Sequence, residues 1–168
     1  PVGSIGVDKL RFFLDGDPGL MALAYELLLM NTLQVRVSDG SDNPAHVAIL
    51  PPSCLSPVGF AKNEGLLDYD NRSFIGYRLL SEYFAFPDKF LFIDINGLDH
   101  AALRHPGKKL CIHIFLRQFP DTERHSRLLQ TLGKTNFKLG CTPAINLFKH
   151  AADPIRISHQ KTAYPVLA

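Results

Sequence analysis

Two rhythms of apolar and polar positions run through the chain, one of period two and one near 3.6, and the switches between them mark its elements. Leu10-Arg11-Phe12-Phe13-Leu14 reads as a short strand stopped by Asp15-Gly16. A helix follows, with Asp17 at the N-cap, Pro18 at the first helical position, and Leu20, Leu23, Ala24, Leu27 and Leu28 at helical spacing. Leu33 to Ser38 returns to period two, and with the strand candidate Ala45 to Leu50 it predicts a hairpin across the turn residues Asp39 to Pro44. Residues Pro51 to Asn71 hold three prolines and two glycines and little periodicity, so an irregular connection lying over the core is expected there.

From Ser73 the apolar stripe Phe74, Tyr77, Leu80, Phe84 is helical, and Pro87 sets its end near Ala85. Lys89 to Ile95 is apolar on both faces, as in a central strand covered on each side, and Gly97 closes it. Lys109 to Arg117 places Leu110, Ile112, Ile114 and Leu116 on one face of a half-buried strand. Pro120-Asp121 opens a third helix, with Leu128, Leu129 and Leu132 toward the core and Gly133 terminating it. The tail carries strand-like runs around Ile145 to Phe148 and Ile155 to Ile157. About half a dozen strands and three packed helices without regular βαβ alternation predict an α+β fold, sandwich-like, with a mostly antiparallel or mixed sheet. One structural domain over 1–168 is the default expectation, with room for a lobe boundary within 51–71.

Composition narrows the function classes. With 46% hydrophobic and 20% charged residues, the chain has the make-up of a folded protein. A net charge of +2, with both signs interspersed, gives no electrostatic footprint for nucleic acid or anionic lipid. The apolar run Leu20 to Met30 contains Glu26 and is too short to cross a bilayer, so no direct membrane insertion is expected. Cys54, Cys111 and Cys141 are odd in number and far apart, which suits buried reduced thiols in the cytoplasm. The chain opens Pro1-Val2-Gly3-Ser4 with no initiator Met, and is expected to be an internal segment of a longer protein.

Candidate chemistry is sparse. Gly133-Lys134-Thr135 lacks the glycine a phosphate loop requires at Leu128, so a helix end is the better reading. Cys141, with His150 and His159 downstream, has the residue types of a thiol nucleophile and base, but nothing in the sequence brings them together. His100, His105, Cys111 and His113 lack the paired spacing of a zinc site. Asp94, Asn96 and Asp99, like Asp39, Asp42 and Asn43, suit ordinary turns better than a calcium loop. Asn71-Arg72-Ser73 reads as the entry to the helix at Ser73 rather than as a glycosylation site. Phe12, Phe13, Phe84, Phe86, Phe90 and Phe92 read mainly as core, with some available to a protein interface. No catalytic, cofactor or metal residue is assigned.

The run from Phe74 to Phe92, FIGYRLLSEYFAFPDKFLF, resembles the signature stretch of the type VI secretion baseplate family TssF, also called ImpG/VasA. A second block, Leu139-Gly140-Cys141-Thr142-Pro143-Ala144-Ile145-Asn146-Leu147-Phe148, followed by Asp153-Pro154-Ile155-Arg156 and Tyr164, is similar to that family in the same order. Leu10 to Gly16 fits less specifically. The resemblance implies a cytoplasmic structural component of a baseplate docked at the inner membrane, without catalysis or cofactor. Its implied partners are TssG, TssK and TssE, with a second copy of the same subunit as a further candidate. Within the signature, Tyr77, Arg78, Glu82, Tyr83 and Phe84 are expected to fix the helix against the strand that holds Phe92, or to reach a neighbouring subunit. The competing readings are a thiol-dependent hydrolase using Cys141 and a stand-alone ligand-binding β-rich module.

Overall fold

The computed structural model describes residues 8–41, 44, 47–67, 69, 72–98, 109–119, 122–146, 151–158, 160 and 162–166. Strand β1 (Leu10–Leu14) leads into helix α1 (Pro18–Met30), and the Asp17 carboxylate accepts the Leu20 backbone N–H at 3.0 Å as the N-cap. Strand β2 (Thr32–Ser38) pairs antiparallel with β3 (Ala48–Leu50), Val35 opposite Leu50 and Val37 opposite Ala48. The hairpin is therefore present; Asp42, Asn43, Ala45 and His46 lie outside the described residues.

On its other edge β2 pairs antiparallel with β6 (Cys111–Leu116), giving the order β3-β2-β6. Thr32 faces Leu116 and Gln34 faces Phe115, so two steps along β2 are matched by one along β6. This bulge breaks the period-two rule at one place: Val35 and Val37 are buried as the alternation requires, whereas Leu33 is turned out and Thr32 goes in.

A second antiparallel sheet has the order β4-β5-β1-β7, with β4 at Leu55–Pro57, β5 at Phe92–Ile95 and β7 at Phe137–Lys138. All four residues of β5 are buried, so the expectation of a strand covered on both faces holds for its second half. Its first half differs: Pro87–Phe90 forms a 3-10 turn, because Pro87 fits the first position of a turn and the Leu91 N–H bonds back to the Asp88 carbonyl. Residues 51–67 are also more ordered than their composition suggested. They supply β4, whose residues Leu55 to Pro57 pair with Ile95 to Ile93, and bury Cys54, Leu55 and Val58.

Helix α2 (Ile75–Ala85) ends at the residue the proline rule indicates. Helix α3 (Glu123–Thr131) is capped by Thr122 and buries Leu128, while Leu129, expected inside, is exposed. Its end is made by the Leu132 N–H bonding to the Leu128 carbonyl, one residue before Gly133. No strand forms over 141–146 or 151–158; in place of the tail strands, β7 adds to the edge of β1.

The core joins both sheets to α1 and α3: Leu14, Met21, Leu27, Val35, Val37, Ile93, Ile95, Leu98 and Leu128 form one cluster. Where the sheets face each other a cavity of about 230 Å³ remains, walled by apolar side chains including Phe12, Ile93, Ile112 and Phe137.

Candidate interaction surface

Helix α2 is amphipathic in the sense opposite to its hydrophobic pattern. Its buried residues are Arg78 and Glu82, 5% and 2% exposed, while Phe74, Tyr77, Leu80, Tyr83 and Phe84 face outward, Phe84 at 80%. Four residues apart, Arg78 and Glu82 lie one turn above the other on a single face. That face is held by polar partners, although the Arg78 Nε is buried without a hydrogen-bond partner among the described residues.

One Glu82 oxygen accepts the backbone N–H groups of Leu66 and Leu67, at 2.7 and 3.1 Å. The other accepts the ammonium of Lys89, itself 2% exposed. Burial alone would push the Glu82 carboxyl up; the Lys89 ammonium and the two backbone donors outweigh it and hold the group below the usual carboxylate range. Arg78 donates to the carbonyls of Lys62 and Ala61 at 2.7 and 2.8 Å, with its Nε 3.9 Å from Glu82. Segment 61–67 is thus stapled to α2 through its backbone N–H and carbonyl groups.

Two glycines permit the close approach. A Cβ at Gly65 would lie 2.7 Å from Arg78 Nη1, and Gly59, at φ 100° in the left-handed region, turns the chain over the Lys89 carbonyl. Glu64 completes the turn by accepting the N–H groups of Gly59 and Ala61. It also lies 3.7 Å from Arg11, which belongs to a second charged cluster. Arg11 and Asp94 are register partners on β1 and β5, and two guanidinium N–H groups reach the carboxylate at 2.6 and 2.8 Å. That contact, aided by Lys9, holds the Asp94 carboxyl below its ordinary value against the effect of burial.

Of the six residues singled out in the signature stretch, Arg78, Glu82 and Phe92 are interior, and Tyr77, Tyr83 and Phe84 are on the surface. Contact between α2 and β5 runs through the 3-10 turn between them: Glu82 to Lys89, and the Tyr83 ring 5.9 Å from that of Phe90. The expected burial of Phe84 is overturned. The inner side of the helix is already filled by Arg78 and Glu82, which leaves Phe84 edge-on to Tyr83 at 5.6 Å on the outside. Sequence reasoning passed over Lys89 as a strand residue; the signal available was a lysine at the very start of an apolar run, seven residues after Glu82.

Beside this outer face, between α1 and α2, runs a groove of about 540 Å³ lined by Ala22, Tyr25, Phe60, Leu79, Leu80 and Tyr83, among others. The Tyr25 hydroxyl is shielded from solvent and has no hydrogen-bond partner among the described residues. Burial pushes its pKa up to about 12.

The residues weighed for chemistry lie apart from this surface. Cys141, expected to be a buried thiol in a tight turn, is instead exposed, its thiol 3.8 Å from the Leu139 carbonyl, and His150 and His159 lie outside the described residues. Cys111 contacts His113 at 3.7 Å on β6, but His100 and His105 are outside the described residues, and those described contain no group of three metal-binding side chains. Gly133-Lys134-Thr135 sits after α3, at the start of a 3-10 turn. Asp39 accepts from the N–H and hydroxyl of Ser41, and Asn96 donates to the Cys54 carbonyl and Ser56 hydroxyl, which are the bonds of turns. Asp99 and Asn71 are not among the described residues, and α2 starts after Phe74 with no side-chain cap.

The family model described as "Type VI secretion system, TssF" matches residues 1–168, the whole chain. The chain belongs to the type VI secretion system TssF family. Among curated proteins it is 36% identical over 167 residues to the type VI secretion system component TssF1 of Pseudomonas aeruginosa. That match covers 99% of this chain and 26% of TssF1, so the chain spans about a quarter of its relative's length. Among solved structures, a chain of a TssK-TssF-TssG baseplate subcomplex determined by cryo-electron microscopy shares its fold, with a TM-score of 0.66 and 24% identity. The overlap covers 90% of this chain and 27% of that one. In this TssF-family chain no helix among the described residues is long and apolar enough to cross a membrane.

Proposed function

We propose that this chain is a structural segment of a type VI secretion baseplate subunit, whose work is to bind other subunits rather than to catalyse a reaction. The observation that carries the reading is the match to the TssF family along the full chain, together with 36% identity to a type VI secretion component. The physical character of the molecule supports it. Its buried charged groups make internal ties, Asp94 to Arg11 and Lys89 to Glu82, and its described surface sets aromatic side chains outward on α2. The related assembly contains TssK and TssG, which are the partners proposed here, with TssE and a second copy of the subunit as further candidates from the family resemblance. The proposed location is the cytoplasm, within a baseplate docked at the inner membrane.

Co-expression of the full-length subunit and of this 168-residue chain with TssG, TssK and TssE, followed by affinity capture and sizing, tests the reading. Capture by the short chain places an assembly interface within it. Capture by the full-length subunit alone makes this a core or peripheral part, and capture by neither overturns the assembly role.

A further inference from the structure

We draw no further inference here: the strongest candidate, the exposed aromatic outer face of α2 at Tyr77, Tyr83 and Phe84 with the adjoining groove between α1 and α2, carries nothing further, because nothing in the structure shows what covers it.

Discussion

Lys89 and Glu82, seven residues apart, form a salt bridge across the end of α2 in which both side chains are about 2% exposed. Charges this deeply placed are tolerated when every polar atom finds a partner, and Glu82 has three. Replacing Lys89 by Met should therefore destabilise the chain by about 3–5 kcal/mol, because Glu82 loses its counter-charge. Urea denaturation is the measurement. Glu82→Leu combined with Lys89→Met should recover part of that loss, and a double variant no better than the worse single one would refute the pair's coupling.

The two phenylalanines of the signature separate cleanly. Phe92 is 4% exposed within β5 and its ring lies 4.8 Å from that of Phe13, so Phe92→Ala should lose about 3–5 kcal/mol. Phe84 stands outside, and Phe84→Ala in the 168-residue chain should change stability by less than about 0.5 kcal/mol. Equal losses at the two positions in denaturant titrations would contradict this placement of α2.

Acid should weaken the fold through Asp94 and Glu82. Both carboxyls are held below their ordinary values of 3.8 and 4.5, so the folded state binds protons less readily than the unfolded chain. Their contribution is complete above those ordinary values and is lost as pH falls below them toward the folded values. Thermal melts at a series of pH values from neutrality to about 3 should show stability dropping below about pH 4.5, with a shallower fall in Glu82→Gln. A flat profile through that window would contradict the assigned ion pairs.

Thiol labelling should follow exposure. Cys141 is on the surface, Cys111 is half-buried, and Cys54 is buried with its pKa pushed up by that burial. Mass spectrometry after timed treatment with a maleimide should show the order Cys141, Cys111, Cys54, with Cys54 modified only on unfolding. Fast modification of Cys54 in the native protein would contradict its burial in the turn that precedes β4.

Unfolding should be a single transition. Residues 55–57 supply β4 to the sheet that contains β1, and segment 61–67 is tied to α2, so these described residues are expected to unfold with the rest of the chain. Calorimetry resolving two steps would restore a lobe boundary in that stretch.

The elements carrying strong local signals were legible in the sequence. Asp17-Pro18 marked the start of α1, Pro87 the end of α2, and period two marked β2 and the inner face of β6. What escaped was set by distant partners. The three residues of β4 carry no period of their own and are a strand only because β5 lies beside them. Leu33 alternates correctly but is displaced by a bulge that only the pairing with β6 creates. The aromatic stripe of α2 looked like a core face because hydrophobic periodicity identifies one side of a helix without saying which side is inward. Arg78 and Glu82 on the opposite side held the answer, but only together with Lys89 and the backbone of 61–67. The candidate surface was named in part through Tyr77, Tyr83 and Phe84, whereas the groove needed α1 to be set beside them.

The position of β1 has a consequence for synthesis. It lies between β5 and β7, with Phe13 opposite both Phe92 and Lys138, so both its neighbours come from far later in the chain. At about 5–20 residues per second, a ribosome needs roughly 4–16 s after Phe13 to reach Phe92 and roughly 6–25 s to reach Lys138. For that interval both edges of β1 carry unpaired backbone N–H and C=O groups, while β2 and β3, close in sequence, are already able to pair. β1 is thus made well before both strands that flank it, and its place in the sheet is filled only when the later ones arrive.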